Sequence, residues 1–405
     1  MKNRTGGIPM IQRTHYLKQI RPFYDSDLIK VITGIRRCGK SVVMDQIMAE
    51  LRGDGKTVLK LDFENLATAE AIPDAKALVS AIEPHLGEEK LYVFLDEVQR
   101  VDGWNFACRS LRLENLSLFI TGSNSKLLSR EFTRELSGRY ASFCIRPFVY
   151  RELQEYAAEL GREYGIGDYL LWGGFPKALE YKDRDSMLRY LSDLNETIIM
   201  NDIIGRYHVR KPELFRKLVN YVLISNARIF SANGIHHYLK SQQLDCSVNT
   251  VMKYLGYLEE AYVIRRIPQY STKARRELTI YDKLYDEDVS FNTIRQKGGR
   301  YDLTHNLENI VYNELVFMGY ELTVYNKDGK EIDFLAEKDG KQYLIQVAYS
   351  VAEESTWQRE FSLFSVLDQS RKKILITNDE VDFSTSSVTH LRLKDFLELE
   401  NLERA

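Results

Sequence analysis

The chain has 405 residues, 44% of them hydrophobic and 28% charged, with a net charge of −2. That composition excludes wholesale disorder and, at this length, predicts roughly two to four domains. The near-neutral charge gives no global attraction to nucleic acid, so any DNA-binding surface has to be a local patch. The four cysteines, Cys38, Cys108, Cys144 and Cys246, form no C-x-x-C pair. That argues against a zinc site or a disulfide framework and for a reducing compartment. No window approaches the run of about 18 apolar residues that a membrane helix needs, and Met1 to Arg13 has no apolar stretch of signal-peptide length. A cytoplasmic protein without a membrane partner is expected.

Residues 14 to 27 read as an amphipathic lead-in, with Tyr16, Leu17, Ile20 and Phe23 at helical spacing. The apolar run Leu28 to Thr33 then enters Gly34-Ile35-Arg36-Arg37-Cys38-Gly39-Lys40-Ser41, a G-x-x-x-x-G-K-S string. Glycines let such a backbone curl so that successive N–H groups face one centre. The following helix adds its positive end, Lys40 reaches the outer phosphates, and Ser41 ligates Mg²⁺. The whole string is the candidate nucleotide site, with ATP and Mg²⁺ as the expected ligands. Cys38 within it reads as a tolerated small side chain rather than a redox sensor.

A helix is expected over Val42 to Leu51, with Val43, Ile47 and Leu51 on one stripe, and strands over Thr57–Phe63, Leu91–Asp96 and Leu116–Gly122. The last two are almost uninterrupted apolar runs, as in parallel strands buried on both faces. Asp96-Glu97 ends the third strand in the manner of a Walker B element: Asp96 orients the hydrated Mg²⁺ and Glu97 polarises the attacking water. An open parallel sheet binds ligands at the carboxyl ends of its strands, where both elements can meet. Asn124 or Ser123, just beyond the fourth strand, is the candidate for contact with the γ-phosphate or the water; the alternative is an ordinary turn cluster. Arg139 is a candidate source of charge for the transition state, in its own chain or across a subunit boundary of a homo-oligomer. Its plain reading is a surface arginine.

Val31 to Ser41, Leu95-Asp96-Glu97-Val98-Gln99 with Trp104, Ile120 to Ser125, Gly138-Arg139, and Trp172-Gly173-Gly174-Phe175-Pro176 form a combination more specific than any one string. Together they resemble a family of bacterial and archaeal AAA-type ATPases, in which an N-terminal ATPase domain precedes a C-terminal domain of unknown function. The resemblance covers almost the whole chain. It implies an AAA-like core and ATP binding, and it names no substrate.

From Tyr150 to about Ile224 the chain turns helical and tyrosine-rich, with Trp172 to Pro176 as a turn, Phe175 as an anchor of this lid on the core, and a packed helix over Tyr190–Ile204. Ser231 caps a short helix, Ala232 to Lys240, and a longer one follows from Val248 to Tyr262. Val263–Ile267 and Leu278–Tyr281 read as strands joined by a basic loop. Helix, turn, helix and two-stranded wing predict a winged helix-turn-helix, with Lys253, Arg265, Arg266, Lys273, Arg275 and Arg276 as candidate contacts to double-stranded DNA. The alternative is a winged helix used only for packing. His236 and His237 are sequence neighbours, about 100° apart on a helix, and cannot chelate one metal together.

A helix over His305–Gly319, strands at Glu321–Tyr325, Glu331–Glu337 and Gln342–Ala348, a helix around Glu353–Leu367 and a strand at Lys373–Thr377 resemble a restriction-endonuclease-like core. Active members gather divalent ions with an Asp and a Glu/Gln-x-Lys. Here Asp333 is followed by Gln346-Val347-Ala348, so an alanine takes the lysine's place and cleavage is not expected. The predicted architecture is α/β: a lead-in (1–27), a P-loop ATPase core with a parallel sheet (28–150), a helical lid (151–225), a winged helix (226–300) and a small, inactive endonuclease-like domain (301–405). The function expected is a nucleotide-driven switch or remodelling ATPase acting on DNA or a protein partner. The alternatives are an ATP-dependent nuclease and a non-enzymatic DNA-binding regulator with structural nucleotide.

Overall fold

The computed structural model describes residues 10–122, 136, 138–270, 282–327, 330–365 and 371–404. The chain divides into two compact units, residues 1–147 with 260–262, and residues 148–259 with 263–405. Among the described residues no helix is long and apolar enough to cross a membrane.

In the first unit helix α1 (Thr14–Ile20) precedes five strands: β1 (Ile29–Thr33), β2 (Thr57–Asp62), β3 (Leu91–Asp96), β4 (Leu116–Thr121) and β5 (Tyr140–Cys144). They pair in the order β2-β3-β4-β1-β5, every neighbour parallel. The apolar runs explain the order of burial. β1, β3 and β4 are covered along their whole length, whereas β2 at the edge is only partly covered. Val93, Leu95, Leu118 and Ile120 face a core closed by Leu78, Ile82, Ala107 and Leu111 of the flanking helices Ala75–Ile82 and Trp104–Leu111. Phe94 and Phe119 alternate to the other face and stack with centroids 4.4 Å apart. Each such fully buried side chain contributes about 1.5–3 kcal/mol.

A charged side chain interrupts this interior. Lys30, in the middle of β1, is fully buried. Its Nζ donates to Ser117 Oγ at 2.6 Å and to the Ser26 carbonyl at 3.2 Å, and lies 4.7 Å from the centre of the Phe119 ring. Burial, with nearby Lys90 adding, pulls this ammonium down to about 7.

The second unit begins with helices. The helix expected from Tyr190 starts at Arg184, because Asp183 caps it by accepting the Ser186 N–H at 2.8 Å, and its continuation Ile198–Gly205 widens to a π-helix. At the Trp172–Pro176 turn the Gly174 N–H donates to Asp288 Oδ2 at 2.6 Å. A Cβ on Gly173 would lie 1.9 Å from Asp288 Oδ1, and one on Gly174 2.0 Å from the Phe148 carbonyl oxygen. Phe175 is fully buried, and its ring meets that of Phe291 in the same unit at 5.5 Å.

Helices Ala232–Ser241 and Val248–Glu260 follow, the first capped by Ser231, whose Oγ accepts the Gly234 N–H at 2.9 Å. Strands β6 (Arg228–Phe230), β7 (Ile264–Ile267), β8 (Gln269–Tyr270) and β9 (Asp282–Asp286) flank them. β6 and β7 pair antiparallel on either side of β9. The strand expected at Leu278–Tyr281 lies outside the described residues; β9, immediately after it, is the strand that pairs.

The second unit ends in β10 (Glu321–Lys327), β11 (Lys330–Lys338), β12 (Lys341–Val347), β13 (Lys372–Thr377) and β14 (Thr389–Arg392). They form a sheet in the order β14-β13-β12-β11-β10-β8. β11 is antiparallel to both neighbours and the other pairings are parallel.

Candidate functional site

The site grows from the end of β1. At Gly34 φ is 138°, and a Cβ would lie 2.0 Å from the carbonyl oxygen of Ile145, so the close approach of two backbones requires glycine. Ile35 and Cys38 turn inward, Arg36 is half-buried and Arg37, with φ 67°, is exposed. Helix α2 (Lys40–Gly53) starts directly from Gly39, so its unpaired first N–H groups and positive end serve the loop. Lys40 is only 6% exposed, and its Nζ lies 3.1 Å from the carbonyl oxygens of both Gly34 and Ile35. Among the described residues no carboxylate pairs with it. Ser41, next on α2, is exposed.

Strand register brings the second element alongside. Ile32 pairs with Thr121 and Leu95 with Ile120, which sets the ends of β1, β4 and β3 side by side. Asp96 is 4% exposed, and its Oδ1 accepts the Thr121 hydroxyl. The same Thr121 oxygen accepts the Glu97 N–H at 3.0 Å. Glu97 sits in the left-handed region at φ 54°, ψ 43°, a cost of about 1 kcal/mol that the surrounding contacts sustain. Gln99 Nε2 donates to Glu97 Oε2. Thr121 and Gln99 stand in strings singled out by sequence but without an expected role. The available signal was a hydroxyl at the end of a buried strand and an amide two residues past a carboxylate.

Ser123, Asn124, Lys273, Arg275 and Arg276 lie outside the described residues. Arg139 is exposed, and its carbonyl accepts the Ile29 N–H at 3.0 Å. That puts its backbone at the opposite end of β1 from the loop, roughly 15 Å away along five residues of strand. In the second unit Lys253 Nζ lies 5.7 Å from the Tyr257 ring centre. Arg265 Nε donates to Glu287 at 3.0 Å, and Arg266 pairs with Glu259 and with Asp282, the latter at 3.5 Å.

A second polar centre surrounds Asp333, and its key residue was not anticipated. Lys283 of β9 is 4% exposed, with Nζ 2.7 Å from Glu308 Oε1, 2.9 Å from Asp333 Oδ1 and 3.3 Å from Glu331 Oε1. Tyr285 donates its hydroxyl to Glu308 at 2.7 Å, and Asp333 Oδ2 accepts the Val347 N–H at 2.9 Å. Gln346 accepts the Asp333 N–H at 3.3 Å and donates to Glu360 at 2.9 Å. Burial, with Asp333 adding, pushes the Glu308 carboxyl up to about 8. Burial alone would pull the Lys283 ammonium down, but Asp333, Glu308 and Glu331 push it well up. Among the described residues no cluster of three or more His, Cys, Asp or Glu is arranged to hold a metal ion.

A family model described as an AAA domain matches residues 26–154. Two models described as domains of unknown function, DUF8612 and DUF4143, match residues 164–294 and 304–396. An uncharacterized protein of Haemophilus influenzae is 33% identical over 381 residues, covering 91% of this chain and 93% of that one. An uncharacterized protein of Methanocaldococcus jannaschii is 29% identical over 377 residues, covering 87% and 82%. Among solved structures, a Walker-type ATPase of Pyrococcus abyssi matches with a TM-score of 0.49 at 16% identity, over 71% of this chain and 96% of that chain. The chain belongs to the family of bacterial and archaeal proteins in which an AAA-type P-loop ATPase domain precedes domains of unknown function.

Proposed function

We propose that the chain binds ATP at residues 34–41, hydrolyses it, and uses the nucleotide cycle to switch or remodel a partner. The observation that carries this reading is the buried ammonium of Lys40, held among the described residues by the carbonyl oxygens of Gly34 and Ile35, beside the strand ends that bear Asp96 and Glu97. Carbonyl dipoles hold the ammonium loosely enough that phosphate oxygens compete for it. Mg²⁺, which would be held by Ser41 and Asp96 with phosphate oxygens and water completing its shell, supplies charge neutralisation on the phosphates. Glu97 orients and deprotonates the attacking water, while Thr121 fixes Asp96 and Gln99 restrains the Glu97 carboxylate. A role for Arg139 requires another copy of the chain, given its place at the far end of β1.

Phosphate release from ATP tests the reading on the unaltered chain, Lys40→Ala and Glu97→Gln. Turnover is expected to fall about 100-fold or more in both, with nucleotide still bound by Glu97→Gln. Equal turnover in all three would refute it.

Within the second unit we propose a helical segment (151–225), a winged helix (226–300) and an endonuclease-like domain without cleavage activity (301–405). The chain order β6, two helices, β7, β9 supports the winged helix. The ion pairs of Arg265 and Arg266 mean that DNA would have to displace carboxylates to reach them. Double-stranded DNA binding that weakens steeply with salt would favour a DNA partner over a protein one. Ala348 and the compensated Asp333 centre weigh against nuclease chemistry.

A further inference from the structure

Arg13 lies ahead of every motif in the sequence, yet it is among the most deeply buried large side chains, at 1% exposure. Its guanidinium donates through Nη1 to the Cys38 carbonyl at 3.0 Å and through Nη2 to the Arg146 carbonyl at 2.9 Å. One planar cation thus ties the phosphate loop to the segment after β5 whose Ile145 carbonyl abuts Gly34. The guanidinium is itself held in place. It lies 4.7 Å from the Tyr16 ring centre, and Tyr16 Oη accepts the Arg146 N–H at 3.1 Å. Gln46 of α2 accepts the Arg13 N–H at 2.9 Å and donates to the Ile11 carbonyl at 2.7 Å, so lead-in and P-loop helix are stitched together.

We propose that Arg13 is a positioning residue of the phosphate loop, an inference that rests on the ATPase reading and adds a residue to its site. No peptide bond among the described residues is cis, so the C=O of Cys38 and the N–H of Gly39 point in opposite directions across one planar unit. Holding the carbonyl on Arg13 fixes that N–H on the side away from the guanidinium, ready for a phosphate oxygen. Released, the peptide can rotate, and the loop offers a carbonyl dipole in place of an N–H donor. The guanidinium is suited to this task because it stays charged and makes two directed bonds at once. A Cβ at Gly39 would come within 3.2 Å of Nη1, which shows how closely the cation backs the loop.

The test is calorimetric titration of the full chain with a non-hydrolysable ATP analogue and with inorganic tripolyphosphate, beside steady-state phosphate release. Arg13→Gln is expected to weaken both ligands by the same factor, about tenfold. KM should rise with kcat little changed, and Arg13→Lys, which can reach one carbonyl at a time, should fall between. Should Arg13→Gln fail to fold, Gln46→Leu, which unpins the Arg13 backbone and so lets the retained guanidinium shift off the Cys38 carbonyl, is expected to weaken both ligands several-fold, and unchanged binding in it overturns the proposal. A folded Arg13→Gln that binds both ligands as the unaltered chain does overturns the proposal. So does a loss confined to the ATP analogue, which would move Arg13's role to the nucleoside. If the unaltered chain binds neither ligand, the ATPase reading itself falls, and this one with it.

Discussion

Lys40 and Lys283 are both buried lysines, one in each compact unit, and their surroundings are opposite. Lys40 is held by two neutral carbonyl oxygens, while Lys283 sits among Glu308, Asp333 and Glu331 with a tyrosine hydroxyl completing the network. An ammonium left without a counter-charge in low dielectric is destabilising until an anion arrives, which suits a site that binds phosphate. An ammonium already surrounded by carboxylates has no such demand, and removing it leaves acids with no cation. On the proposed reading, the contrast distinguishes a phosphate-binding lysine from a structural one by charge balance, without reference to motifs.

The largest expected effect breaks that contrast directly. Lys283→Met should cost about 3–5 kcal/mol, because it strands buried carboxylates, whereas Lys40→Met should leave stability unchanged or raised. Urea unfolding of both variants decides the matter, and equal losses would erase the distinction. A smaller loss, about 3 kcal/mol, is expected for Gly34→Ala, since its Cβ would meet the Ile145 backbone at 2.0 Å. In the same unfolding series a near-neutral Gly34→Ala would mean that the loop does not need this close approach.

The smallest effect concerns Lys30, a third buried lysine, whose folded pKa of about 7 lies below its ordinary 10.5. Between these values the unfolded chain binds more protons than the folded one, so stability rises with pH, by up to about 1.4 kcal/mol per unit. Below pH 7 that gain is absent. Unfolding midpoints between pH 6.5 and 9 should therefore climb, and the climb should flatten in Lys30→Met. An identical slope in the variant would show that Lys30 keeps its proton.

Much of the first unit was legible because its signals are local. Leu91–Asp96 and Leu116–Gly122 read as buried parallel strands, and the structure has β3 and β4 there, inside the sheet. The glycine, lysine and serine spacing marked the loop for the same reason: every member lies within one turn of chain. What escaped were partners distant in sequence. Arg13 reaches Cys38 and Arg146, and Lys283 reaches Glu308 and Asp333, across chain separations that no periodicity encodes. β8 escaped because two residues carry no pattern, and β9 because its lysine and aspartates looked less apolar than the stretch before it.

The Trp172–Pro176 turn, one of the strings that carry the family resemblance, owes its glycines to packing. Its two glycines are each pressed by a different obstruction, the Asp288 carboxylate at one and the Phe148 backbone at the other. Trimming Asp288 makes room for a side chain at Gly173, at the loss of the bond to the Gly174 N–H. At Gly174 no substitution elsewhere helps, since a carbonyl oxygen cannot be trimmed. A side chain is therefore blocked at one position and coupled to Asp288 at the other, which makes the turn a packing joint.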